Sequence, residues 1–367
     1  MEKNPKHLKN YLDENGLRFQ INEEKVWGYI ETTFGRKRAE ELSQIFDETY
    51  MSGGRRIETN KKYKFCSNFE EATALMCFQS DWFLKNSDII LDCLLKSNPT
   101  NILELGCYTG IFSNYISEIL YNSNITGVDI EKNLINFGND RYKKDNLKLI
   151  ELDYQNLSNL NIKFDYIFTN FGLENIPEAK RQTYKIRENN DYKKKLIYFS
   201  DLFSSLNAIS NDNTEFLCIA RLPNEECILA IVDGAQSQGW EWLTEDFEYI
   251  HLNLEYVPKI RFRKKSINKI SLENFSKEIK KLNENDYNSI DLILQYEKQK
   301  DNLELIYQSS FKYPDSNDEL FYEIYNEDDL IVVFLWTTLG HIDFKKFKNK
   351  KELDNFFNIE YGLEVIE

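Results

Sequence analysis

The residues best suited to chemistry stand at the ends of short apolar runs. Residues 101–113 read Asn-Ile-Leu-Glu-Leu-Gly-Cys-Tyr-Thr-Gly-Ile-Phe-Ser: an apolar strand carrying Glu104, a turn at Gly106, and a helix that starts after Gly110. Glycine tolerates positive φ, so Gly106 permits a sharp turn off the strand. Gly110 lets a helix start, with its free amides, lie close to a ligand. Two further apolar runs end in an acid, at Asp129 and at Asp153, and a fourth ends at Asn170. The G-x-x-x-G spacing is not the G-x-G-x-x-G of dinucleotide binders, and no G-K-[ST] is present to hold terminal phosphates. This loop is not built to cradle phosphate.

Such positions need elements to carry them. Apolar runs at 102–105, 125–130, 147–152, 164–171 and 215–222 alternate with helical segments. The helix before the fifth run shows Phe199, Leu202, Phe203, Leu206 and Ile209 on one face. Strands interleaved with helices predict βαβ units and a mostly parallel sheet covered on both faces. After a helix near 225–237, the runs 249–254 and 259–263 are close enough to pair antiparallel, which makes seven strands. The N-terminal third is mostly helical, with apolar faces over 37–50 and 68–95. Between them, residues 51–65 lack periodicity, contain Gly53 and Gly54, and read as a loop. Beyond 265, a polar helical stretch precedes a β-meander at 303–307, 321–325 and 330–337 and a helix near 350–357. The expected architecture is α/β and doubly wound, with a helical cap or lid (1–97), a core (98–266) and a small α+β unit (267–367).

The chain has 367 residues, and its 46 basic and 61 acidic side chains leave a net charge of −15. That disfavours a nucleic-acid acceptor, since phosphate contacts draw on surplus positive charge. Basic clusters at 36–38, 193–195 and 345–351 read as solvated faces. Six cysteines without a C-x-x-C pair or a nearby histidine speak against structural zinc, so no metal is expected. Free cysteines in apolar segments and a charged amino terminus without an apolar signal core suit a cytoplasmic protein. The longest apolar stretch, 330–336, is far below the ~18 residues of a membrane span.

Over residues 101–265 the chain resembles the class I S-adenosylmethionine-dependent methyltransferase family, through the order and spacing of four elements together. Glu104, Gly106 and Gly110 match its first motif, although Tyr108 or Thr109 stands where the family usually has a further glycine. Asp129, ending Ile-Thr-Gly-Val-Asp, matches the position that grips the ribose hydroxyls. Asp153 matches the acid that accepts from the adenine amino group, with Tyr154 beside the base, and Asn170 matches the polar tip of the fourth strand. The resemblance implies a seven-stranded Rossmann-like methyltransferase sheet. It also implies S-adenosylmethionine as cofactor, held by Glu104, Gly106, Cys107, Tyr108, Gly110, Asp129, Ile130, Asp153, Tyr154 and Asn170.

A sulfonium methyl is already electrophilic, so the protein chiefly aligns the nucleophile, and a base is optional. Glu174 is the best-placed candidate acid or base. None of the three histidines follows the fourth strand. Asn-Phe-Gly-Leu at 170–173 is not the Asn-Pro-Pro-Tyr type of nucleic-acid adenine methyltransferases. Arg55 and Arg56, beside two glycines, could close over an anionic acceptor, and Tyr50, Trp82 and Tyr108 could offer flat faces to it. The expected function is methyl transfer to an oxygen or nitrogen of a small molecule or peptide. The rivals are protein side-chain methylation and a non-catalytic scaffold or sensor; a homodimer through the C-terminal unit is a further expectation.

Overall fold

The computed structural model describes residues 5–19, 22–51, 56–173, 185–222, 224–252, 255–265, 269–280, 289–313, 318–338 and 341–362. Six helices open the chain: α1 (Pro5–Glu14), α2 (Glu23–Phe34), α3 (Arg36–Met51), α4 (Arg56–Phe65), α5 (Phe69–Met76) and α6 (Ser80–Ser97). Their ends are set locally. Asn22 caps α2 by accepting from the Lys25 amide at 3.0 Å, and Asn68 caps α5 through the Glu71 amide at 2.8 Å. Asn98, with φ 44°, stops α6 in the left-handed region. The loop expected over 51–65 is corrected for its described part: Arg56–Phe65 is a helix. Its run Arg-Ile-Glu-Thr-Asn-Lys-Lys-Tyr-Lys-Phe is rich in helix formers but carries no strong apolar stripe, so periodicity alone misses it.

The core then alternates β1 (Asn101–Leu105), α7 (Ile111–Ile119), β2 (Asn124–Asp129), α8 (Lys132–Arg141), β3 (Leu147–Glu151), β4 (Phe164–Asn170), α9 (Asn190–Ala208), β5 (Ser210–Ile219), α10 (Glu225–Ser237), β6 (Trp240–Trp242), β7 (Glu248–Leu252) and β8 (Glu255–Lys264). Strand order is β3-β2-β1-β4-β5-β8-β6, with β7 also paired to β8. The first five strands in that order run parallel; β6, β7 and β5 all pair antiparallel with β8. The expected doubly wound sheet is present, with β6 as an addition to the seven expected strands. Trp-Glu-Trp is too short to register as an alternating run. Ile102, Leu103, Leu105, Phe168, Leu217 and Ile219 are fully buried, as a sheet covered on both faces requires. β1 pairs with β2 on one side and β4 on the other, so strand order reverses there and opens a crevice at the carboxyl ends.

The chain divides into two compact units: residues 1–176, 201–221 and 235–267, and residues 177–200, 222–234 and 268–367. The first holds the N-terminal helices and the sheet. The second contains α11 (Leu272–Lys280), α12 (Ser289–Gln299), β9 (Glu304–Lys312), β10 (Glu319–Glu327), β11 (Leu330–Thr337), β12 (Ile342–Phe347) and α13 (Lys350–Tyr361). β9 to β12 form an antiparallel sheet in the order β12-β11-β10-β9. Leu320, Ile324, Val333 and Leu335 pack on Leu353 and Phe357 of α13, while Tyr296 of α12 stacks on Phe334 at 4.0 Å. The fourth strand, β12, was hidden in the basic cluster at 345–351. Its lysines face water while Ile342 is buried.

Candidate active site

At the crevice a cavity of about 520 Å³ is walled on one side by the strand ends and on the other by the N-terminal helices, all within the first unit. The strand side begins with Glu104 and the 106–110 loop. The Gly106 and Cys107 amides donate to the Val128 carbonyl at 2.9 and 3.0 Å, which sews the loop to the end of β2. Gly106 has φ 72°, and a Cβ there would lie 2.6 Å from Gly172 Cα, so the loop after β4 approaches this turn more closely than any side chain allows. Gly110 has φ 71° and a Cβ on it would strike the Leu149 side chain at 2.5 Å, so close packing also requires glycine there.

Tyr108 occupies the left-handed region at φ 57°, rare for a bulky residue. This is where the absent third glycine matters. The strain is held by three contacts: its amide donates to Asp129 Oδ2 at 2.9 Å, its hydroxyl to the Ala72 carbonyl at 2.9 Å, and its ring meets Tyr63 edge-on at 5.4 Å. The tyrosine thereby ties the loop to α5.

Asp129 lies at the cavity wall. Its Oδ2 accepts from Tyr108 and its Oδ1 from the Glu131 amide at 3.0 Å, leaving about two of four acceptor positions open. Burial, outweighing these bonds, pushes its carboxyl up to about 6. Glu104 is 2% exposed and accepts from the Ser113 hydroxyl. Burial first, and the Asp129 charge next, push it up to about 8. Neither carboxylate meets a cation among the described residues.

Ile130, Asp153 and Tyr154 continue this wall. Asp153 accepts from the Gln155 amide at 3.0 Å, and the Tyr154 hydroxyl donates to the Gly172 carbonyl. Asn170 lines the cavity while its amide is bound to α6: Asn86 Nδ2 donates to its Oδ1 at 3.0 Å, and its own Nδ2 donates to Ser87 Oγ at 3.2 Å. The structure thus brings together Glu104, Gly106, Cys107, Tyr108, Asp129, Ile130, Asp153, Tyr154 and Asn170 around one cavity, with Gly110 behind it. Trp82 is buried and stands edge-on to Phe171 at 6.2 Å, outside the lining. Glu174 and Arg55 lie outside the described residues, and of Tyr50 and Arg56 only the backbone, in α3 and α4, is described.

Sequence reasoning missed Phe171, Gly172 and Arg221 and the helical wall of Phe46, Met76, Phe78, Gln79 and Phe83. Phe171 has φ 61°, with the Arg221 guanidinium 4.8 Å above its ring. The signal for Phe171 and Arg221 was their place just past the carboxyl ends of β4 and β5, where open α/β sheets put ligands. The helical wall had no such signal, because its residues share an apolar periodicity with ordinary core.

Residues 102–187 match the family model described as a methyltransferase domain. The chain is 31% identical over 94 residues to the demethylmenaquinone methyltransferase of Listeria welshimeri serovar 6b, covering 24% of this chain and 40% of that one. It is 40% identical over 81 residues to malonyl-acyl-carrier-protein O-methyltransferase 2 of Ilyobacter polytropus, covering 22% and 31%. A candidate methyltransferase of Invertebrate iridescent virus 6 is 24% identical over 115 residues, covering 29% and 42%. The chain therefore spans about two fifths or less of the length of these curated relatives. The matched stretch runs from β1 past β4 and contains the ends of β1, β2, β3 and β4, so the resemblance to the methyltransferase family holds over most of the strand side of the cavity, the Arg221 end of β5 lying beyond it.

Proposed function

We propose that this chain is an S-adenosylmethionine-dependent methyltransferase acting on an oxygen or nitrogen of a small molecule or peptide. The observation that carries this reading is the pairing of an open, desolvated carboxylate, Asp129, with a loop-to-loop approach at Gly106 and Gly172 that only glycine permits. When bound, the cofactor supplies a methyl group on a positively charged sulfur. Asp129 would accept from the ribose hydroxyls through its open acceptor positions, with Ile130, Asp153 and Tyr154 flanking the base. Glu104 and the Asn170 end of β4 would face the methionine portion. The cavity is of the size that small-molecule sites take, and its helical wall supplies apolar surface to an acceptor. With alignment as the main contribution, no base need be supplied by the described residues.

Calorimetric titration with S-adenosylmethionine and S-adenosylhomocysteine tests this: micromolar binding that Asp129→Ala weakens at least about a hundredfold supports the reading, and an unchanged affinity in the variant removes it. As for assembly, β9 is an edge strand with Leu305 and Ile306 about half exposed. Two copies paired antiparallel about Gln308 would set Glu304 of one against Lys312 of the other, a homodimer that a monomeric sedimentation mass would refute.

A further inference from the structure

Arg221 stands apart from every other arginine whose side chain is described. The seven others, from Arg18 to Arg263, each lie within 3.3 Å of a carboxylate. In a chain with 61 acidic residues and a net charge of −15, such pairing is the expected fate of a guanidinium. Arg221 is exposed, has no carboxylate partner among the described residues, and lines the cavity just past the end of β5. Its guanidinium rests 4.8 Å above the Phe171 ring, whose backbone is held in place by a 2.9 Å bond from its amide to the Ile219 carbonyl. Stacking on a ring face positions a guanidinium while leaving its in-plane N–H edge open. That edge matches a carboxylate through two parallel hydrogen bonds.

We propose that Arg221 is the anchor for a carboxylate on the methyl acceptor, so that the acceptor is an anion with an apolar body. Phe83 and Met76 on the helical wall supply the apolar surface for that body. The cavity separates two tasks. Asp129 and the Glu104 carboxyl serve hydrogen-bonding groups, and Arg221 past β5 serves negative charge. The inference rests on the methyltransferase reading for the word acceptor, but the anion site itself is a property of this cavity.

The test uses the full chain saturated with S-adenosylhomocysteine and titrated with benzoate, with its neutral counterpart benzamide, and with inorganic phosphate. Benzoate is expected to bind and benzamide to bind at least about tenfold more weakly, because only the anion makes charge-assisted bonds. Arg221→Gln should weaken benzoate by about tenfold or more with the S-adenosylhomocysteine affinity unchanged, and Arg221→Lys should recover only part of it. Because Arg221 is exposed and has no carboxylate partner among the described residues, both variants should keep the wild-type melting temperature. Equal binding of benzoate and benzamide, or benzoate affinity unchanged in Arg221→Gln, overturns the proposal, and a preference for phosphate over benzoate overturns the assignment to a carboxylate. Benzoate binding that depends on Arg221 in a protein that ignores S-adenosylhomocysteine would leave the anion site standing and remove the cofactor reading.

Discussion

Asp233, in the second unit, and Glu104, at the cavity, are equally removed from water, at 1% and 2% exposure, yet they are accommodated in opposite ways. Asp233 accepts from Arg187 through both oxygens, at 2.8 and 2.9 Å, with Lys269 Nζ at 3.1 Å and the Tyr192 hydroxyl donating as well. In the same unit Glu226 pairs with Lys195 at 3.0 Å, both buried. Around Glu104 and Asp129 the donors are a hydroxyl and backbone amides, with no cation among the described residues. A buried carboxylate supplied with cations is finished and holds structure together. One left without them keeps acceptor capacity that only a ligand can use, and its raised proton affinity is the physical signature of that incompleteness.

The largest effect should come from breaking the finished site. Arg187→Ala leaves Asp233 buried with its bidentate partner gone, and we expect a loss of roughly 3–5 kcal/mol, read by denaturant unfolding. A loss below about 1 kcal/mol would mean that Lys269 and Tyr192 already satisfy the carboxylate.

The unfinished site should show itself in pH dependence. The native Glu104 carboxyl keeps its proton up to about 8, against an ordinary value of 4.5 in the unfolded chain. Between those values the native state binds more protons, so stability should fall as pH rises through this window, by at most about 5 kcal/mol. Glu104→Gln should flatten the slope. Unfolding curves at pH 5 and pH 8 decide the sign, and a slope that rises with pH would remove the contrast between the two sites.

For Asp129, replacement by alanine should weaken cofactor binding at least about a hundredfold, since two charge-assisted hydrogen bonds of ~1.5–3 kcal/mol each are lost. In the wild type, affinity should decline as pH drops below about 6, where the carboxylate takes up its proton. The same titrations on the alanine variant should show no such decline. Smallest of all, Tyr108→Phe removes one hydroxyl bond to the Ala72 carbonyl and should cost ~1 kcal/mol. Tyr108→Gly relieves the left-handed strain but loses that anchor and the contact with Tyr63, so thermal melts of the two variants separate strain from anchoring.

Much of the fold was legible because it is written locally. Ile102 to Leu105, Ile125 to Val128 and Tyr166 to Phe168 are apolar runs bounded by turn residues, and the helices between them have their own periodicity. Three elements escaped. α4 has helix propensity without an apolar face, β6 is three residues long, and β12 was obscured by its solvent-facing lysines. At the site, Glu104, Asp129, Asp153 and Asn170 were legible as polar residues ending apolar strands. Trp82 looked like a pocket aromatic and instead supports Phe171 edge-on. Nothing in a linear pattern distinguishes an aromatic facing a cavity from one standing behind it.

What the sequence determined by itself, then, is a parallel α/β sheet with acids at the tips of its strands, because strand period and glycine turns depend on neighbours in the chain. Only the tertiary structure decided which buried carboxylates have cations, which helical residues wall the cavity, and that Arg221 has no carboxylate partner among the described residues. Those outcomes depend on side chains tens to hundreds of positions apart, as with Arg187 and Asp233 or Asn86 and Asn170, and desolvation and pairing act on distance in space.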